Sequence, residues 1–372
     1  MQRNLSFDVV RGGAIFLVVA NHLSALMFKN VPVSESSFIQ ILFSYLTGFG
    51  HLAVIIFLVL SGFLIHKNNM NKLFDSISVF KSFILKRYLR LSIVLLPALL
   101  ITICLDYTGY NYGSENIYVA AYDYNGMIGH NFHNSLNIYS FLATVFYLND
   151  LIPVYSFGSN TPLWYLSVQF WCYVLYGLIK FINGNRKKNL FLSILLGVIF
   201  GLIVYFIMWG KLVYTFCFLI GCVVARLSEN KQLNRRPLFT SPFFLSLIIV
   251  LCFVFRVVDS KWSGSITDIV FSLISGCLIL LLAIRKSDGL EANPCLRKVI
   301  SFFSGFSFTL YCVHFPIVIC LVSLFFQCPP LLELSLITFC EWCFVMIGTY
   351  AVSYLLYLAF EKNSYKIISK II

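Results

Sequence analysis

The stretch FDVVRGGAIFLVVANHLS, residues 7–24, decides how the rest of the chain is read. Its run AIFLVVA is apolar enough to enter a bilayer, yet Arg11 stands before it and His22 behind it, both costly to desolvate. Eleven residues at about 100° each make three turns plus about 20°, so both side chains fall on one face of a helix. At 1.5 Å per residue they stand roughly 16 Å apart along the axis, about half the hydrocarbon thickness. With the N-terminus in the cytosol, Arg11 lies near the interface and His22 well inside the membrane. Asp8, one turn before Arg11 on the same face, can neutralise it. Taken singly, Arg11 could snorkel to the interface and His22 could be a hydrogen-bonded structural histidine. Ionisable groups at this depth usually face a protein cavity or a water-filled path.

Composition makes the bilayer reading general. Hydrophobic residues are 59% of the chain and charged residues 11%, against about 25% charged in a soluble domain. A span needs about 20 predominantly apolar residues. Runs of that kind lie at 9–28, 48–66, 88–106, 161–182, 190–208, 212–227, 242–258, 266–284, 307–326 and 335–359. The fold expected is all-α: a polytopic membrane protein of about ten transmembrane helices with both termini cytosolic. That orientation puts 23 of the 27 Lys and Arg residues on the cytosolic side, leaving Lys29, Lys211, Arg256 and Lys261 outside. The net charge of +12 therefore reflects topology by the positive-inside rule and not a nucleic-acid partner.

The connectors add detail. The cytosolic segment HKNNMNKLFDSISVFKSFILKR (66–87) contains an amphipathic piece, Leu73–Leu85, expected to lie along the membrane surface. The largest non-cytosolic segment, about Asp106 to Thr161, is rich in Tyr, Asn and Gly. It either covers an opening into the membrane or is a solvated loop with interfacial tyrosines. The twelve cysteines mostly sit in or beside apolar runs, without metal or CxxC spacing, and Cys328 has no obvious partner. No cleavable signal peptide is expected, because Asp8 and Arg11 break the usual charged-then-apolar pattern. One membrane domain, 1–372, is expected, with no fused soluble domain.

Several side chains could carry chemistry. In LKRYLRLSI (85–93), Arg87 and Arg90 are spaced i, i+3 and could form a phosphate clamp, or simply a positive-inside anchor. In FLVLSGFLIH (57–66), Ser61 and Gly62 suit close helix packing and, more weakly, phosphate binding. TPLWYLSVQFWCY (161–173) carries Trp164, Ser167 and Gln169 in an apolar body. In SFTLYCVHFPI (307–317), Tyr311 and His314 share a face, and Glu361 closes the last span beside Lys362, where an interfacial salt bridge is its plainest role. His130 and His133 have a spacing that a metal could use, but no carboxylate or cysteine accompanies them, and no metal is expected. No GxSxG elbow, Walker loop, dinucleotide fingerprint or HExxH occurs.

Together these pieces resemble acyltransferase family 3, the integral membrane O-acyltransferases of bacterial surface glycans. DVVRGGAIFLVVANH resembles the family's opening D-x-x-R-G-x-A with Arg-x10-His, and RYLR its Arg-x-x-R. LWYLSVQFWCY resembles its Trp-x-Leu-Ser-Val segment, SFTLYCVHFPI its Leu-Tyr-x-x-His-x-Pro segment, and FEK its closing Glu-Lys/Arg-Pro. The order agrees over essentially the whole chain. The departures are Gln169 where many members carry Glu, Asn21 before the histidine, and Asn363 in place of the closing proline.

The resemblance implies transfer of an acyl group, usually acetyl, from cytosolic acetyl-CoA to a carbohydrate hydroxyl such as that of O-antigen lipopolysaccharide, in the bacterial inner membrane. It implies no permanently bound cofactor, since acetyl-CoA is a substrate. The partners are the donor, a lipid-linked or surface glycan and the bilayer. Arg11, Arg87 and Arg90 would hold the donor's anionic end, and His22 with Arg11 would be catalytic, the histidine as general base or as acyl carrier. Asp8, Ser61, Trp164, Ser167, Gln169, Tyr311, His314 and Glu361 would support them. A transporter or flippase of a lipid-linked glycan is the competing class.

Overall fold

A computed structural model describes residues 4–31, 33–122, 124–185, 190–230, 232, 241–259, 264–285, 293–326 and 331–364. Of the basic residues in the orientation argument, Arg3, Arg186, Lys187, Lys188, Lys231, Arg235, Arg236, Lys261, Lys286, Lys366 and Lys370 lie outside these, as does Cys328. The helices are α1 (Leu5–Met27), α2 (Phe38–Thr47), α3 (Gly50–Asn69), α4 (Ile77–Tyr112), α5 (Ile138–Val145), α6 (Trp164–Asn185) and α7 (Leu190–Ile207). They continue as α8 (Leu212–Leu227), α9 (Pro242–Asp259), α10 (Gly264–Ile284), α11 (Pro294–Gly305), α12 (Ser307–Phe326) and α13 (Leu336–Leu356), closed by a π-turn, Tyr357–Glu361. Among the described residues there is no strand, only a bridge between Phe28 and Leu332.

All ten apolar runs are helical. Eight segments are long and apolar enough to cross a membrane, and Ile194–Ile207 and Pro242–Arg256 are shorter apolar stretches. The chain is an all-α, multi-pass membrane protein. Two boundaries differ from the sequence reading. The second span begins at Phe38, because Ser37 and Gln40 form a capping box that starts α2 early. The amphipathic piece Leu73–Leu85 is no separate surface helix. Most of it is the first turns of the 36-residue α4, and Phe80 and Phe83 spend its apolar face on α6, against Phe181 and Tyr176.

The chain packs as two compact units. The first comprises Met1–Ala14, His51–Ile84 and Trp171–Gly305. Here α3 and α8 touch backbone to backbone: a Cβ on Gly62 would run into the Phe218 carbonyl oxygen, and one on Gly221 into that of Val59. Small residues at such a crossing are the usual means of close packing between membrane helices. Ser61 adds a hydrogen bond of 2.7 Å to the Tyr173 hydroxyl.

The second unit comprises Ile15–Gly50, Leu85–Phe170 and Phe306–Ile372. Its core is α12, the most enclosed of the spans, with 78% of its apolar window buried. The described part of the stretch from 113 to 160 is only partly solvated: Tyr122, Tyr139 and Tyr155 stay exposed. Elsewhere it folds inward, burying Tyr118, Tyr124, Phe132 and Tyr147 together with Asn149, Ser156, Ser159 and Asn160. Each of these four polar side chains makes a hydrogen bond to a helix or within the loop, although Oδ1 of Asn160 has none among the described residues. Ser159 donates to Asp106 of α4 through its amide (2.8 Å) and hydroxyl (2.5 Å). Asn149 accepts from Ser167 of α6 at 2.5 Å.

Candidate active site

Within the second unit, His22 of α1 meets His314 of α12, with Nδ1 of the first 2.9 Å from Nε2 of the second. The rings are nearly parallel, 7° apart with centroids at 5.1 Å, and Phe315 closes edge-on against His22 at 5.1 Å. His314 is fully buried, and its Nδ1 faces the carbonyls of Tyr311 (2.9 Å) and Leu310 (3.1 Å). Carbonyls only accept, so the hydrogen-bond network assigns the proton of His314 to Nδ1. Its Nε2 is then an acceptor, and His22 must donate from Nδ1. The lone pair of His22 consequently sits on Nε2, which has no hydrogen-bond partner among the described residues. The pair presents one unoccupied basic nitrogen.

The local sequence explains how α12 holds this geometry. Pro316 has no N–H, so the helix cannot satisfy the Cys312 carbonyl four residues earlier. Asn160 does so, donating from Nδ2 at 2.8 Å and also contacting Thr102 Oγ1 at 3.2 Å. One turn from His314, the Tyr311 hydroxyl donates to the Pro162 carbonyl, which ties α12 to the Thr-Pro entry of α6. At the helix start, Glu361 accepts from the Thr309 amide (3.1 Å) and hydroxyl (2.5 Å). It thereby caps an amide that an isolated helix leaves unpaired. The π-turn delivers Glu361 to this position.

The first helix is held as firmly around His22. Asn125, in the left-handed region at φ 53°, donates to the Ala25 and Phe28 carbonyls at 2.8 and 2.9 Å. Trp342 of α13 donates to Ser24 at 3.0 Å. A Cβ on Gly50 would collide with Asn21, so the first residue of α3 presses against the residue preceding His22.

The remaining candidates fall elsewhere. In the first unit, Arg11 pairs with Asp8 at 3.5 Å; the carboxylate is nearly buried and the guanidinium one-third exposed. Ser61 serves the helix crossing described above. In the second unit, Arg87 is half-buried and Arg90 exposed on α4, while Trp164 and Gln169 are half-buried on α6. Ser167 is buried and anchors the loop through Asn149. His130 stacks on Tyr155 and His133 on Tyr110, which occupies the two rings separately, and among the described residues no metal-ligating cluster occurs.

Three features escaped sequence reasoning. Asn160 could have been found from Pro316, because a proline inside a helix demands a donor from elsewhere. Asp106 and Asp268 could have been found as carboxylates in apolar runs, which require partners. Asp268, buried in α10, pairs with His51 at 2.6 Å.

The chain matches the family model described as an acyltransferase domain over residues 4–358, which takes in Asp8, Arg11, His22, Arg87, Arg90, Ser167, Tyr311 and His314 and stops three residues short of Glu361. No curated protein and no solved structure matches it. With nearly the whole of its 372 residues matched, the chain belongs to acyltransferase family 3 and is a membrane acyltransferase.

Proposed function

We propose that the protein transfers an acetyl group from cytosolic acetyl-CoA to a sugar hydroxyl of a cell-surface polysaccharide, such as O-antigen, at the bacterial inner membrane, with His22 as general base. The observation that carries this reading is the His22–His314 pair, whose proton arrangement leaves Nε2 of His22 as the accepting atom. A neutral imidazole is suited to take a hydroxyl proton near neutral pH.

The acceptor hydroxyl gives its proton to Nε2 as its oxygen attacks the thioester carbonyl carbon. The tetrahedral intermediate collapses with rupture of the C–S bond, forming the ester. The departing thiolate takes the proton from the His22 imidazolium, so coenzyme A leaves as the thiol and His22 returns to neutral. His314 accepts the Nδ1–H of His22 throughout and steadies the transient imidazolium. Such base catalysis contributes on the order of 10²–10⁴-fold. Arg11, Arg87 and Arg90 serve the donor's phosphates, which suits guanidinium forks.

The deciding experiment compares surface glycan by mass spectrometry and NMR from cells carrying the intact protein, no protein, or His22→Ala. O-acetyl esters are expected only with the intact protein. Esters retained with His22→Ala would remove the base from the mechanism, and glycan left chemically unchanged in all three would favour a flippase. Labelled donor supplied without acceptor should leave the protein unlabelled; label on His22 would make it a nucleophile instead.

A further inference from the structure

A cavity of about 490 Å³ opens in the first unit, where α3, α6 and α8 all end. Its volume is in the range that small-molecule sites occupy. Met70 and Phe74 supply apolar lining, while Lys72, Lys180, Arg226 and His66 supply cationic or donor groups, and among the described residues no acidic side chain lines it. Glu229, three residues beyond Arg226, is taken up by Lys67. Arg226 itself has no ion-pair partner among the described residues.

Two details make this a built feature and not loose surface charge. Lys180 is fixed in place, with Nζ donating to the Met70 carbonyl at 3.2 Å and lying 5.8 Å from the centre of the Phe74 ring. His66 also lines the cavity, with its Nε2 buried and without a hydrogen-bond partner among the described residues.

The helix ends act in the opposite direction. Each C-terminus carries about half a negative charge, so three contribute roughly −1.5 against the formal +3 of Lys72, Lys180 and Arg226. Carbonyls in the last turns are also already used: Asn69 donates to Ile65, Asn185 to Phe181, and Ser228 to Ala225. The balance stays positive.

We infer that this cavity binds the phosphate groups of a phosphate-ester ligand, with the apolar lining taking the adjoining organic part. Two sources share that chemistry: the nucleotide end of coenzyme A and the headgroup of an anionic phospholipid. The anion site stands on its own geometry; only its use by the acyl donor rests on the proposed function.

The test uses the full-length protein in phosphatidylcholine nanodiscs, with adenosine 3′,5′-bisphosphate as the first probe and added phosphatidylglycerol, followed by native mass spectrometry, as the second. Wild type is expected to bind at least one of them. Lys180→Met with Arg226→Gln should weaken that binding roughly 10-fold or more, the scale of a lost charge-assisted contact. Lys180→Arg with Arg226→Lys should keep it within a few-fold, and thermal unfolding checks that all three proteins fold. Loss with the nucleotide assigns the site to the donor, and loss with the lipid assigns it to the membrane. Equal binding of both probes by wild type and the neutral variant would overturn the proposal, as would equal loss in the charge-preserving variant with unchanged melting. Neither readout needs turnover, so failure of acetyl transfer would leave the cavity result intact.

Discussion

Asn160 supplies to α12 the hydrogen bond that Pro316 withholds: its Nδ2 lies 2.8 Å from the Cys312 carbonyl, the group a normal amide at 316 would have reached. Asn160→Ala should leave that carbonyl buried and unpaired, costing ~1–3 kcal/mol of stability. Pro316→Ala restores the missing N–H, so the double variant should lose less than the single losses added together. Thermal unfolding of the four proteins measures the coupling. Strict additivity would mean the two residues act independently.

In the proposed mechanism His314 acts through His22, so its removal should show in rate before stability. His314→Phe takes away the acceptor that fixes the His22 tautomer, and kcat is expected to fall on the order of 10²-fold with KM for the donor little changed. His314→Gln, whose amide oxygen can accept, should recover part of the loss. A rise in KM with constant kcat would assign His314 to binding instead.

Close backbone approach makes Gly62 intolerant. A methyl group there meets the Phe218 carbonyl oxygen, so Gly62→Ala should destabilise by ~1–3 kcal/mol as α3 and α8 are pushed apart. Gly13 is the contrast: a Cβ would meet nothing within 4 Å, and Gly13→Ala should be neutral or stabilising by up to ~1 kcal/mol. Melting midpoints of the two variants compare directly.

The folded loop should loosen in acid. Burial lowers the His130 pKa, with Asp150 opposing. The stabilisation linked to neutral His130 is therefore complete above its unfolded pKa, near 6.5. It is lost as pH falls through that value towards the lowered one. Amide protection factors across residues 118–157, taken against the intrinsic rate at each pH, should fall over that window, and His130→Gln should flatten the response. An unchanged pH profile in the variant would transfer the effect to another group.

The single helix bearing Arg11 and His22 could be read from spacing, because 3.6-residue periodicity is a local property. So could the shared face of Tyr311 and His314. That His22 and His314 face each other could not, since they are 292 residues apart and nothing in either helix says which neighbour it meets. The amphipathic 73–85 segment shows the same limit. An apolar face reads identically whether it meets lipid or, as here, the aromatic rings of α6. Asn160 and Asp268 were within reach of inference, because a helical proline and a carboxylate in an apolar run each imply a missing partner.

One consequence of the histidine pair concerns electrostatic self-energy. In soluble enzymes a carboxylate commonly fixes the tautomer of a catalytic histidine, at the cost of a permanent formal charge. In a hydrocarbon slab such a charge would be expensive. Here backbone oxygens of α12 impose the same proton order with dipoles alone. In the proposed mechanism the pair would be neutral at rest and would carry charge only while a proton is in transit.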